Sequence, residues 1–243
     1  MERGFLLREP WRAWRGIRTG PCAAEPCAGR FALRVRPGVP DTGFSNDKAL
    51  LQIMKVYKFG GASVRNADGV RNLRKIIDDE QNLFIIVSAM GKTTNALERV
   101  FGAVQRHDPQ AAGDEIASLR EYHAAIIDEL WHGPKRLEAV ERLFGELERV
   151  AAGEGYDPRD AELWYDTIVA FGELVSTTII SEYLNYAGVP NRWIDMRRCF
   201  LTEQRHKDAG VNLEASTELL KNALGKCVEN IFIGQGFIGG APD

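Results

Sequence analysis

The chain has little of what usually announces a site in a sequence. Its 243 residues include four cysteines and four histidines. Cys22, Cys27, Cys199 and Cys227 form no CxxC pair, and no histidines cluster beside them. The short, converging spacings of a structural zinc site are therefore missing. So is the density of a disulfide framework, and reduced thiols are expected. No run of about 18 apolar residues occurs, which argues against a membrane span; the mean hydropathy is −0.25. An excess of positive charge is lacking as well. The net charge of −3 and pI near 5.9 exclude a strongly basic nucleic-acid binder. What remains is an ordinary globular composition, 44% hydrophobic and 27% charged. It excludes disorder of the whole chain and suffices for one large domain or two small ones.

The first 53 residues differ from the rest. They hold Arg3, Arg8, Arg12, Arg15, Arg18, Arg30, Arg34 and Arg36, and the first lysine is Lys48. Five prolines interrupt them, and no helical or strand period is sustained. Such a segment cannot bury a core of its own and is expected to be a disordered or mis-annotated leader. Three readings stand: translated upstream sequence with Met54 as the start, an organelle transit peptide, or a genuine disordered arm. Glu2, Glu9 and Glu25 weigh against the transit peptide.

From Met54 the pattern becomes regular. Lys55–Phe59 reads as a strand ended by Gly60-Gly61, and a helix is expected over 68–80. Leu83–Val87 is a continuous apolar run, which suits a strand covered on both faces. The loop 88–95 leads to a helix ending near His107. Helical sequence follows over 111–152, broken at Gly133-Pro134, and looks like an insertion that covers an edge or forms a lid. A further helix over 159–187 contains Gly172, expected to divide it, and ends at Gly188, a C-cap signal. A strand over 191–195, a helix over 213–224, a strand over 230–234 and a glycine-rich turn over 235–240 complete the chain. Strands alternating with helices predict an α/β fold: an open, mainly parallel sheet with helices on both faces and a helical insertion.

Four segments could carry chemistry. In Lys58-Phe59-Gly60-Gly61-Ala62-Ser63 a strand delivers its end to two glycines. Glycines permit positive φ and close approach, and successive free N–H groups there make an anion nest beside the Lys58 charge. A tight turn with an exposed lysine explains the same residues. Gly91-Lys92-Thr93 imitates a P-loop end, but the required upstream glycine is Ile86, so no P-loop exists. Ser88, Thr93, Thr94 and Asn95 remain as polar groups at a strand's carboxyl edge, where ligands of open α/β sheets bind; Thr94 or Asn95 could equally cap the next helix. Glu173, in Phe171-Gly172-Glu173-Leu174, is a carboxylate in an apolar helix that must be paired, solvated or bound to a cation. Asp195-Met196-Arg197-Arg198 reads first as an internal ion pair. His107, His123, His132 and His206 are scattered, and surface positions are expected for most. The amphipathic stretch 138–150 reads as core packing.

Together these segments resemble the aspartokinase family of the amino-acid kinase fold, from Met54 to Asp243. Lys58-Phe-Gly-Gly-Ala-Ser-Val64 is similar to the family's opening KFGGTSV, with Ala62 in place of the threonine. Ser88–Asn95 is similar to its substrate loop, Phe171–Leu174 to its SxGE segment, and Ile194–Arg197 and Gln235–Gly239 follow in the family's order. The resemblance implies transfer of the ATP γ-phosphoryl group to the β-carboxylate of L-aspartate, with Mg²⁺. The product would be 4-phospho-L-aspartate, the first step toward lysine, threonine and methionine. It implies that Lys58 serves the phosphoryl group, that Phe59, Gly60 and Gly61 with Lys58 hold the nucleotide phosphates, and that Ser88, Thr94 and Glu173 hold aspartate. No residue is assigned to metal. A homo-oligomer for the full-length family and a cytoplasmic location are expected, with no nucleic-acid or membrane partner. The family's GRTTTLGRGGSD-like loop, nucleotide-binding half and ACT domains do not follow within these residues. The sequence is therefore expected to be a partial kinase domain, over 54–243, that is inactive alone. The alternatives are a non-catalytic module that binds aspartate or a partner, the first part of a kinase fused to homoserine dehydrogenase, or another amino-acid or carbamate kinase.

Overall fold

The structure, a computed structural model, describes residues 54–203 and 209–240. The readings made for 1–53, including Cys22 and Cys27, and for His206 lie outside the described residues. Four strands, β1 (Lys55–Phe59), β2 (Leu83–Val87), β3 (Arg192–Ile194) and β4 (Ile231–Gln235), form one sheet in the order β1-β2-β4-β3. All three pairings are parallel. Among the described residues six α-helices accompany them: α1 (Ala67–Ile76), α2 (Thr93–Gln105), α3 (Pro109–Leu130), α4 (Glu138–Ala151), α5 (Ala161–Tyr186) and α6 (Leu213–Leu224).

The connections explain the layers. The steps from β1 to β2 and from β2 to β3 run the same way across the sheet, and α1 to α5 cover one face. The step from β3 to β4 runs back, and α6 covers the other, as right-handed crossovers require. Alternating side chains divide the strands accordingly. Leu83, Ile85, Val87, Ile231 and Ile233 face the large core with Val70, Leu73, Leu97, Ile168, Phe171 and Ile179. Phe84 stacks on Phe232, with ring centroids 6.2 Å apart, in a smaller cluster with Ile194, Met196, Cys199 and Leu224.

The expected α/β sheet with helices on both faces is what forms, and the break near Gly133-Pro134 separates α3 from α4. Both pack into the α1–α5 layer; Arg120 of α3 reaches Glu141 and Glu148 of α4 at 2.6 Å each and lies over the Phe144 ring. Two expectations fail. The first helix stops at Ile76, its cap N–H returning to the Leu73 and Lys75 carbonyls, and does not reach residue 80. Gly172 does not divide α5, which runs unbroken for 26 residues. One helix, Pro158–Tyr186, is long enough to cross a membrane and holds a window of mean hydropathy 1.2, though no unbroken apolar run. That window is 72% buried among the other layers, so its all-round apolarity is that of a core helix.

Candidate active site at the carboxyl ends of the strands

β1, β2 and β4 end together, and the loops that leave them converge. After β1 the chain turns tightly, with Ser63 N–H bonded to the Gly60 carbonyl at 2.9 Å. Gly91 N–H donates to the Gly61 carbonyl at 3.0 Å, tying the first two loops to each other. A Cβ on Gly61 would stand 2.3 Å from the Ala89 carbonyl oxygen. Gly61 is therefore required by close approach. The expected positive φ is not at the Gly60-Gly61 pair but at Gly91, at +58°. Among the described residues no hydrogen bond takes the N–H of Gly60, Gly61 or Ala62, and a Cβ on Gly60 would meet open space. Free donors and room beside a lysine are what an anion needs.

The β2 loop is fixed from beneath. α2 begins at Thr93, so Thr94 and Asn95 lie in its first turn, and the cap position is Lys92 without a side-chain bond. The alternative reading, in which Thr94 or Asn95 caps this helix, is not what forms. Thr93 donates to the Met90 carbonyl at 2.6 Å. His123 stands 3.5 Å from the Thr93 hydroxyl through Nε2, and its Nδ1 donates to the Leu119 carbonyl at 2.7 Å. It is 1% exposed, whereas His107 and His132 lie at the surface as expected for most of the histidines. Burial lowers its pKa to about 4. A groove of about 510 Å³ opens beside this turn, lined by Arg65, Lys92, Thr93 and Tyr122 among others; Ser88, Thr94 and Glu173 are not in its wall.

α5 delivers the carboxylate. A Cβ at Gly172 would lie 2.8 Å from the Ala89 Cβ and 3.2 Å from Leu97, so the missing side chain is what lets α5 reach the loop. Beside it Glu173, 9% exposed, accepts the Ala89 N–H at 3.3 Å. Burial raises its pKa, and that N–H bond holds the rise back. No basic side chain pairs with Glu173 among the described residues. One helical turn further, Ser176 donates to the Ser88 carbonyl at 3.0 Å. Thr177 donates to the Glu173 carbonyl at 2.7 Å and accepts from Trp193 Nε1 and Gln235 Nε2, each at 2.9 Å. Gln235 in turn accepts the Met196 N–H at 2.9 Å. This buried network locks α5 to the ends of β3 and β4 with every polar atom of Thr177 used.

Asp195 and Arg197 form the expected internal pair, bidentate at 2.8 and 2.7 Å. Beyond Gln235 the chain passes Gly236 and places Phe237 at φ +60°, with 86% of its surface exposed. That conformation costs a non-glycine residue about 1–3 kcal/mol. The Lys58 Nζ lies 4.5 Å from the centre of the Phe237 ring.

Glu173, Ser88, Ala89 and Gly61 are thus joined by direct contacts through the loops, and Thr94 sits in the adjoining helical turn. Lys58 stands apart. Its register with Ile86 and Gly234 turns it to the α6 side, whereas Glu173 comes from the α5 side. Phe59, the expected nucleotide contact, places its side chain in the large core, where it is 9% exposed. Sequence reasoning passed over Thr177, Gln235, Ser176, His123 and Phe237. Only Gln235 and Phe237 carried a signal, being inside a segment already singled out.

Comparison with known proteins bears on this arrangement. Residues 54–243 match the amino acid kinase family. The chain belongs to that family. Within it the chain resembles aspartokinases in sequence. Lysine-sensitive aspartokinase 3 of Escherichia coli is 28% identical over 186 residues, 76% of this chain and 40% of that protein. Aspartokinase 1 of Arabidopsis thaliana, a chloroplastic protein, is 32% identical over 146 residues, 58% of this chain and 25% of the other. The crystal structure of E. coli aspartokinase III in complex with aspartate and ADP superposes with a TM-score of 0.66 at 28% identity, covering 77% of this chain and 41% of that one. The chain spans about 40% of the length of the E. coli relative it matches. The resemblance to an aspartokinase N-terminal kinase domain, first read from the motifs, therefore holds in sequence and in fold.

Proposed function

We propose that this chain supplies the aspartate-holding and phosphate-facing edge of an aspartate kinase. The reaction would transfer the γ-phosphoryl group of ATP to the β-carboxylate of L-aspartate and yield 4-phospho-L-aspartate. The observation that carries the reading is Glu173. It is a buried carboxylate with one N–H bond and no cationic partner among the described residues, set against the loop at the strand ends. Such a group is completed by a ligand ammonium, which restores the pairing that burial demands. Ser88 and Thr94, on the same loop and its helical turn, would hold the carboxylates of the amino acid.

Phosphoryl transfer to a carboxylate oxygen needs alignment and charge stabilisation rather than a covalent intermediate. Lys58 would neutralise charge on the transferring phosphoryl group, and the free N–H groups of Gly60, Gly61 and Ala62 would bond its oxygens. Ala62 lacks the hydroxyl of the family's threonine, which leaves those N–H groups and Lys58 to act alone. Mg²⁺ does not find a ready set of ligands. Among the described residues no three of His, Cys, Asp and Glu converge, and Asp195 is engaged by Arg197.

The chain alone is expected to bind without turning over, and a non-catalytic aspartate-binding module derived from an aspartokinase is the second reading. The buried carboxylate of Glu173, without a cationic partner among the described residues, favours it over a module that binds only nucleotide. Aspartate-dependent ADP release by the purified chain tests the two. Turnover supports catalysis by this chain alone. Without turnover, calorimetric binding of both aspartate and ATP supports the kinase edge, and binding of aspartate alone supports the binding module. Absence of turnover and of aspartate binding rejects the assignment of Glu173, Ser88 and Thr94.

A further inference from the structure

Phe237 is a costly residue that none of the packing explains. Its backbone sits where glycine or asparagine is usual, at φ +60°. Its ring is 86% exposed and belongs to neither hydrophobic cluster. Glycine would relieve the strain and would give up little buried surface. What the ring does have is a cation. β2 lies between β4 and β1, so a residue leaving β4 must reach across one strand, a span of roughly 10 Å at ordinary strand spacing, to meet β1. Phe237 does so, and its face receives the Lys58 ammonium 4.5 Å from the centroid. Gly236 permits the crossing, because a Cβ there would lie 3.3 Å from Ile86. Lys58 meets no carboxylate among the described residues, so the ring is what orients it.

We propose that Phe237 is a positioning residue for Lys58: its ring face holds the ammonium at the carboxyl ends of β1 and β2, aimed where a phosphate anion would sit. The inference rests on the reading that Lys58 serves a phosphate. An ammonium on a four-carbon stem has many rotamers, and a cation–π contact selects those that keep it over the strand ends. The contact is electrostatic, so an aromatic face is needed and an aliphatic side chain of similar bulk does not replace it.

The test uses the full chain grown with ¹³C-lysine, with the Lys58 resonance assigned by its disappearance in Lys58→Arg. In the wild-type protein the Lys58 ε-protons are expected upfield of exposed lysines, through the ring current of Phe237. Phe237→Leu should return them to the exposed position, and Phe237→Tyr should keep them upfield. Inorganic tripolyphosphate, titrated calorimetrically into the same proteins, should bind about two- to fivefold more weakly to Phe237→Leu, while Phe237→Tyr should match the wild type. Because Phe237 is exposed, these variants should keep the wild-type unfolding midpoint. A Lys58 resonance indifferent to Phe237→Leu overturns the contact. A resonance that moves without loss of tripolyphosphate affinity overturns the positioning role. If Lys58→Met leaves tripolyphosphate binding intact while the ring-current shift is present, the phosphate reading of Lys58 fails and the contact itself stands.

Discussion

The two faces of the sheet are built to different standards. On the α1–α5 side the strands lie under several helices, and nearly every apolar side chain is sealed. On the α6 side one helix covers a six-residue cluster. Exposed apolar groups also lie here: Val56, next to Lys58 but one, is 65% exposed, and Leu213 and Val228 at the two ends of the α6 segment are 72% and 69% exposed. The site inherits this difference. Its carboxylate comes from the thick side, locked by Gly172, Ser176 and Thr177. Its ammonium comes from the thin side, held by one exposed ring. Packing is thus concentrated on one face, and the exposed lysine lies on the other.

The comparison is sharpest in core truncations. Phe171→Ala, in the thick core at 1% exposure, should cost about 3–5 kcal/mol, whereas Leu224→Ala under α6 should fall near the low end of about 2–5 kcal/mol. Chemical denaturation measures both, and equal costs would break the distinction. Next in size is a pH effect on the thick side. His123 is neutral in the fold, with a pKa near 4 against an ordinary 6.5. The unfolded chain therefore binds the extra proton between those values. Stability is full above pH 6.5 and falls as pH drops toward 4, by about 3 kcal/mol. His123→Phe should flatten that part of the curve. Glu173 acts in the opposite sense: its raised pKa means that stability falls as pH rises through the carboxylate range, and Glu173→Gln should remove that slope.

Smaller effects probe the joints. Thr177→Val leaves the Trp193 and Gln235 donors unpaired and should cost about 1–3 kcal/mol in thermal or denaturant unfolding. Gly172→Ala, with 2.8 Å to the Ala89 Cβ, should cost about 1–3 kcal/mol through overpacking. It should also weaken aspartate binding by pushing α5 from the loop. On the thin face, Val56→Lys should change stability by no more than about 0.5 kcal/mol while raising solubility.

Much of the fold was legible in the sequence, because apolar runs bounded by glycines mark buried parallel strands and the helical periods between them mark crossovers. The end of the first helix and the continuity of α5 were not legible. Backbone capping at Ile77 and the enclosure of Gly172 depend on neighbours far along the chain. The site was readable as a set of segments in order. Glu173 could be singled out because a carboxylate among apolar neighbours demands an explanation. Thr177 and Trp193 could not, since a threonine inside a helix and a tryptophan in a short strand give no sign that they meet. The double glycine could be singled out, but the positive φ expected of it lies at Gly91 instead, and Gly61 answers a carbonyl 2.3 Å from its missing Cβ, a contact that no local pattern encodes.

The central claim is that the buried carboxylate of α5 receives the ammonium of an amino acid at the strand ends. Calorimetric titration of L-aspartate into the full chain and into Glu173→Gln tests it directly. The account predicts saturable binding to the wild-type chain and its loss in Glu173→Gln, with the variant folded by circular dichroism. Wild-type affinity in that variant, or no binding by the wild-type chain, would contradict it.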